Sequence, residues 1–341
     1  MRLNQYVLPL ISLLAIPFLT GCGMPSFLVT PIANTNQLDE QQIESGSGWA
    51  PPKVAIIEVE GMLVNAKSGG LFTATENSLS LFAQELELAE RDDSVKAVVL
   101  RVNSPGGTVS ASDAMYTILR RFKKKTHKPV VASIQEVGAS GAYYVSCAAD
   151  KIVAQPTSVV GSIGVIFESM EFSGTLDKVG ARAWAITSGP LKEMGSPFKP
   201  LEPRERAIMQ EMVNEYFSRF IDVVRTNRPI DQTAGVVNLA DFQKPTYTGT
   251  FSGRVFSGEE GKKRGLVDQT GLLSDAIELA KKMANAPGAS VIMYKRPYGY
   301  SGSIYASGST PAPKANVTTL EVPGARSFVP AGFYYLWQPG I

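Results

Sequence analysis

Histidine is almost missing from this chain, with one, His127, among 341 residues. That scarcity excludes zinc sites built on paired histidines and the Cys/His spacings of structural zinc. It also leaves a Ser-His-Asp triad no choice but His127, which stands in the basic run Lys123 to Lys128 just ahead of an apolar segment. Such a run suits a helix C-terminus whose cations complement the dipole, with a solvated histidine in the turn after it. Cysteine is nearly as scarce: the two are Cys22 and Cys147. Cys147 lies in the apolar stretch Tyr143 to Ala149 and reads as a small buried residue rather than a nucleophile. A surplus of either charge is lacking too. Against 31 acidic residues there are 33 basic ones, so no field favours nucleic acid, and no nucleic-acid partner, metal or cofactor is expected.

Only one long apolar run is present. Val7 to Leu19 follows Arg2 and is shorter than the ~20 residues a spanning helix needs, which is the layout of an export signal. Leu19-Thr20-Gly21-Cys22 at its end resembles a bacterial lipobox, which implies cleavage after residue 21, lipidation of Cys22 and membrane attachment without a spanning helix. The expected organisation is a lipoprotein signal peptide over 1–21 and a lipidated Cys22 with a flexible tether over 22–52. A catalytic domain follows over 53–290, with an irregular insertion at about 228–253, and then a loose C-terminal extension over 291–341. The terminal aromatics Phe333, Tyr334, Tyr335 and Trp337 suggest that the end of that extension docks somewhere.

Within 53–290, short β-branched runs alternate with helical periodicity. Lys53 to Val59, Val95 to Val102 and Pro129 to Ile134 read as strands buried on both faces. Helices are expected over Asn77 to Arg91, from Ser110 onward with the stripe Met115, Ile118, Leu119 and Phe122, over Ser140 to Ala149, over Arg204 to Arg225 and over Leu273 to Met283. Strands alternating with helices predict an α/β fold with parallel pairing.

With histidine excluded, a serine nucleophile needs another base, and lysine is the usual substitute where burial favours its neutral form. Gly138-Ala139-Ser140-Gly141-Ala142 sits on a sharp turn between a strand and a helix and approaches the G-x-S-x-G elbow, with Ala at the last position. Taken alone, Ser140 reads better as a helix N-cap, and Lys192 as a solvated surface lysine.

Four ordered motifs change that balance. Asn103-Ser104-Pro105-Gly106-Gly107, Gly138-Ala139-Ser140-Gly141-Ala142-Tyr143-Tyr144, Gly161-Ser162-Ile163-Gly164-Val165 and Ser188-Gly189-Pro190-Leu191-Lys192 resemble, in order and spacing, the signal peptide peptidase A family. The resemblance covers about Lys53 to Met283. It implies a Clp-protease/crotonase-like spiral of ββα units, Ser140 as nucleophile and Lys192 as general base. Ser162 would orient the lysine, and the amides of Gly107 and Gly141 would form the oxyanion hole. It further implies a serine endopeptidase in the bacterial cell envelope that cuts residual signal peptides or other unfolded apolar peptides. Homo-oligomers are expected, with Ser140 and Lys192 meeting within one chain or across an interface, and the helix 204–225 is a candidate assembling surface. Two rival readings keep the fold: a non-catalytic lipoprotein scaffold, and a crotonase-type acyl-CoA enzyme, which an export signal disfavours.

Overall fold

The computed structural model describes residues 38–66, 77–230, 249–296 and 331–337. The expected signal peptide, Cys22, the first part of the tether, 231–248 of the expected insertion and most of the C-terminal extension lie outside these residues.

The centre is a parallel sheet of β2 (Lys53–Leu63), β3 (Val95–Thr108), β4 (Val130–Ala139) and β5 (Lys151–Ala154). Its register runs Ile56 beside Val99 and Val99 beside Val131. Helices cover both faces, which is why these strands are continuous apolar runs rather than alternating ones. On one face α1 (Ser78–Arg91), α2 (Val109–Thr126) and the short α3 (Gly141–Ser146) bury Phe82, Leu119 and Tyr144 against Ile57, Val59 and Leu100. On the other, α7 (Leu273–Met283) lays Leu273, Ile277 and Ala280 on Val54, Ile56, Val99 and Val131. Capping sets the helix starts: Asn77 accepts from the Ser80 amide and Thr108 from the Ala111 amide.

β4 serves two partners. Its first half pairs with β5, and its second half, Val137 to Ala139, pairs with β6 (Val159–Gly161). β6 in turn lies antiparallel to β8 (Val255–Ser257). After β6 come β7 (Ile166–Glu168), α4 (Ser173–Lys178) and the long α5 (Pro203–Asn227). Next are α6 (Gly258–Lys263) and β9 (Gln269–Thr270), the latter pairing with β5.

Three expected boundaries are corrected. The tether expected over 22–52 contains β1 (Asp39–Glu44), an edge strand antiparallel to β10 (Ser290–Lys295). The domain end expected at 290 falls on the first residue of β10, which pairs in parallel with β2 and is buried along its whole length. The extension expected over 291–341 therefore supplies β10, and also β11 (Gly332–Leu336), which pairs antiparallel with both β3 and β7. The described flanks of the 228–253 stretch likewise belong to the body: Arg228, Ile230 and Phe251 are buried. Helix α5 differs from expectation as well. Phe217, Phe220, Val223 and Val224 bury its second half within the same chain, so that face is not available for assembly. Among the described residues no helix is long and apolar enough to cross a membrane.

Candidate active site

Three strand ends meet at one place: β3 delivers Gly106 and Gly107, β4 delivers Ser140, and β6 delivers Gly161 and Ser162. Four non-glycine residues have positive φ, namely His127, Ser140, Ser162 and Asn285. His127 and Asn285 follow the ends of α2 and α7, where a left-handed residue commonly closes a helix. Ser140 (φ 53°, ψ −118°) and Ser162 (φ 50°) instead stand just beyond strand ends, with no helix to terminate. Strain of this kind costs of order 1–3 kcal/mol per residue and collects at functional sites.

Ser140 is held through its backbone and not its side chain. Its amide donates to the Gly161 carbonyl at 2.8 Å, and its carbonyl accepts from the Tyr144 amide at 2.9 Å. The Ser162 amide donates to the Arg254 carbonyl at 2.9 Å, so the two strained turns are braced against each other and against the segment before β8. Ser140 occupies the N-cap position of α3 yet caps nothing. Its Oγ is buried without a hydrogen-bond partner, which disposes of the helix-cap reading and leaves a hydroxyl free for another role.

Glycine is required beside it. Gly106 has φ +103°, and a β-carbon there would fall 2.7 Å from the Gly141 nitrogen. A β-carbon on Gly141 would fall 3.2 Å from the Gly107 nitrogen, so the amides of Gly107 and Gly141 lie side by side at the mouth of Ser140. Such a pair can receive a developing oxyanion.

The helix carrying Ser140 is anchored by two consecutive tyrosines. The Tyr143 hydroxyl donates to the Leu266 carbonyl (2.8 Å), and the Tyr144 hydroxyl donates to Asp113 Oδ1 (2.6 Å). Asp113 also receives Nε and Nη2 of Arg219 from α5, each at 2.9 Å. Asp113 and Arg219 escaped the sequence reading, since no local pattern announces a pairing between residues so far apart in the chain. Cys147 is fully buried and burial pushes its thiol up to about 12, so it is no nucleophile.

The expected residues therefore separate into two groups. Ser140, Gly107, Gly141 and Ser162 come together. Lys192 does not join them within one chain: it is exposed, in a turn where its amide donates to the Gly189 carbonyl (3.1 Å), and it makes no hydrogen bond to the Ser140 hydroxyl. Around it lies unspent apolar surface, with Trp184 79% and Ile186 90% exposed and Met170, Phe172 and Phe198 also uncovered. His127 is excluded as the base on geometry. It stands just ahead of β4 and Ser140 just after it, and ten residues of strand separate them by about 30 Å.

Comparison with known proteins decides the family. The model of peptidase family S49 matches residues 122–287 and that of Clp protease matches residues 67–160. A chain described as a protease in Methanocaldococcus jannaschii is 37% identical over 225 residues, 66% of this chain and 68% of its own length. One described as a signal peptide peptidase in Enterococcus faecium is 33% identical over 261 residues, 76% of this chain and 72% of its own. The chain belongs to the signal peptide peptidase A family, peptidase family S49. A member of this family is a serine peptidase, and its substrates are peptides. The α/β sheet described above is thus of the Clp-protease type that family membership leads one to expect. A solved membrane-bound stomatin-specific protease aligns at a TM-score of 0.41 and 13% identity, over 68% of this chain and 86% of that one.

Proposed function

We propose that this signal peptide peptidase A family member hydrolyses peptides with Ser140 as nucleophile and with Lys192 reaching it from a neighbouring copy of the chain. The observation that carries the reading is the strained, buried and unpartnered hydroxyl of Ser140 beside the Gly107 and Gly141 amides. The position of Lys192, exposed on an apolar segment that its own chain leaves uncovered, supports completion by a second copy.

In this reading the Ser140 Oγ attacks the scissile carbonyl carbon while the unprotonated Lys192 amine takes the hydroxyl proton. The amides of Gly107 and Gly141 hold the oxyanion, a contribution of about 10²–10³ in rate per donor. Collapse breaks the C–N bond, and the Lys192 ammonium returns the proton to the leaving amine. Water then hydrolyses the ester by the same base. Ser162, next to the carbonyl that braces Ser140, orients the lysine amine. A lipidated Cys22 ties the enzyme to a membrane of the cell envelope, where cleaved signal peptides and unfolded apolar segments are its substrates.

Mixing inactive chains tests the shared site. Ser140→Ala and Lys192→Ala are each expected to be inactive alone. Where each site joins two copies, an equal mixture should recover about a quarter of wild-type activity, since one interface in four pairs an intact serine with an intact lysine. An active Lys192→Ala chain would remove the lysine from the mechanism, and a mixture with no recovery would place both residues in one chain. Incorporation of labelled palmitate, lost in Cys22→Ala, tests the anchor separately.

A further inference from the structure

The groove beside Ser140 is filled by the chain itself. β11 lies antiparallel between β3, at Gly106 to Thr108, and β7, at Ile166 to Glu168, as an added strand would lie in a sheet that takes peptides edge-on. Its register sets Tyr335 opposite Gly107, and the Trp337 amide donates to the Pro105 carbonyl at 2.8 Å. Hydrogen-bonded pairs alternate along an antiparallel ladder, so with residues 337 and 105 bonded, 335 and 107 are the next bonded pair, and the Gly107 amide donates to the Tyr335 carbonyl. The glycine geometry agrees. A β-carbon on Gly106 would stand 2.1 Å from the Tyr335 oxygen, and one on Gly141 would stand 3.0 Å from it. That oxygen therefore occupies the space between the two amides assigned to the oxyanion.

The side chain completes the resemblance to a bound substrate. Tyr335 is fully buried, stacked on Tyr144 (5.1 Å between centroids, 23°) and tilted on Phe220 (4.8 Å, 54°). Its hydroxyl donates to the Tyr216 carbonyl at 2.8 Å. Tyr144 belongs to the helix that follows Ser140 and is fixed by Asp113, so the wall of this pocket is built on the nucleophile's own helix. The pocket matches a flat ring with a donor at its far end.

We infer that residues 332–337 are an internal substrate: Tyr335 fills the primary specificity pocket, the strand blocks the groove, and the Tyr335–Leu336 bond is cut once a base reaches Ser140. The inference rests on the reading of Ser140 as nucleophile. The step consumes one water: Ser140 Oγ bonds to the Tyr335 carbonyl carbon, the bond to the Leu336 nitrogen breaks with a proton passing to that amine, and hydrolysis of the ester leaves a Tyr335 carboxylate. Residues 336–341 are released, and peptides with tyrosine or phenylalanine before the cut are preferred.

Two measurements separate this inference from the reading beneath it. Hydrogen exchange on the full-length Ser140→Ala chain needs no catalysis: amides of 333–337 should exchange as slowly as neighbouring strands, and rapid exchange there overturns the occupancy. Intact mass of the incubated wild-type chain should show loss of 336–341, with Ser140→Ala keeping them. A synthetic peptide of residues 330–341 should be cut after Tyr335 at least about tenfold faster than its Tyr335→Ala counterpart. A wild-type enzyme that digests an unfolded protein yet keeps its own C-terminus, and cuts both peptides equally, refutes the inference and leaves the peptidase reading intact. A chain that digests nothing, with 333–337 still protected, refutes the nucleophile and with it the cut.

Discussion

Gly141→Ala separates stability from catalysis at the proposed site. The new methyl would meet the Ser112 Oγ at 2.3 Å, the Tyr335 carbonyl oxygen at 3.0 Å and the Gly107 nitrogen at 3.2 Å. The first contact is with a side chain that can rotate away. Rotation gives up the Ser112 hydrogen bond to the Thr108 carbonyl (2.9 Å), a loss of about 1 kcal/mol. Replacing a helical glycine by alanine returns up to about 1 kcal/mol. The two nearly cancel, and the melting temperature should move by no more than about 4 °C for a domain of this size. The other two contacts involve the space an oxyanion would need, and no rotamer removes a methyl from it. Loss of one oxyanion donor costs about 10²–10³ in kcat, or roughly 2.7–4 kcal/mol. Thermal denaturation and steady-state hydrolysis of a quenched fluorescent peptide, run on one preparation, measure both. A variant with wild-type kcat and an unshifted melting point would refute the assignment of the Gly141 amide. Ser112→Ala combined with Gly141→Ala relieves the first contact and should leave the activity as low.

Two further substitutions probe the frame behind the site. Asp268 receives Arg228 Nη1 and the Ile152 amide, each at 2.8 Å, and Lys151 at 3.1 Å. Arg228 is 5% exposed with Nη2 already unpaired, so Asp268→Asn strands a buried cation and should cost about 3–5 kcal/mol in urea unfolding. Burial alone would raise the Asp268 carboxyl, but the Ile152 amide and the Arg228 charge outweigh it and hold it below the usual range. A depressed carboxylate stabilises the fold above the unfolded value of about 3.9, and that contribution is lost as pH falls through the folded one. The gap between wild type and Asp268→Asn should accordingly narrow only below about pH 4, and a gap constant through acid would sink the pairing argument. Phe220→Ala empties a fully buried position between Tyr144 and Tyr335 and should cost about 3–5 kcal/mol by the same assay.

How much of this was legible follows from where each signal resides. β2, β3 and β4 are visible because a strand covered on both faces must be apolar throughout, and Lys53 to Val59 and Val95 to Val102 are. β1 was not, because Asp-Glu-Gln-Gln-Ile-Glu at a sheet edge buries little and takes its conformation from the backbone of β10. β10 reads as a strand in its own right, but nothing local says that it inserts between β1 and β2. Ser140, Gly107, Gly141 and Ser162 were found through motifs whose residue types answer to local geometry: tight turns and close amides. The free state of the Ser140 hydroxyl was not, since caps and nucleophiles look alike in sequence and differ only in where the oxygen points. The aromatics from Phe333 to Trp337 announced that the C-terminus docks, while the choice of β3 and β7 as its hosts depends on long-range pairing that no short window contains.

The antiparallel course of β1 has one more consequence. Asp39 pairs with Lys295 and Glu44 with Val291, so the described body begins toward the end of the sheet where β2 and β3 deliver Leu63 and Gly107, and β10 departs toward that same end. The molecule is therefore vectorial. One pole carries both chain exits and the reactive turns, and the other carries only the turns at Asp92 to Ser94 and at His127. A fluorophore or spin label placed at Asp93 or His127 would ride a full strand length, about 30 Å, from the chemistry, reporting on orientation at a surface without touching the groove.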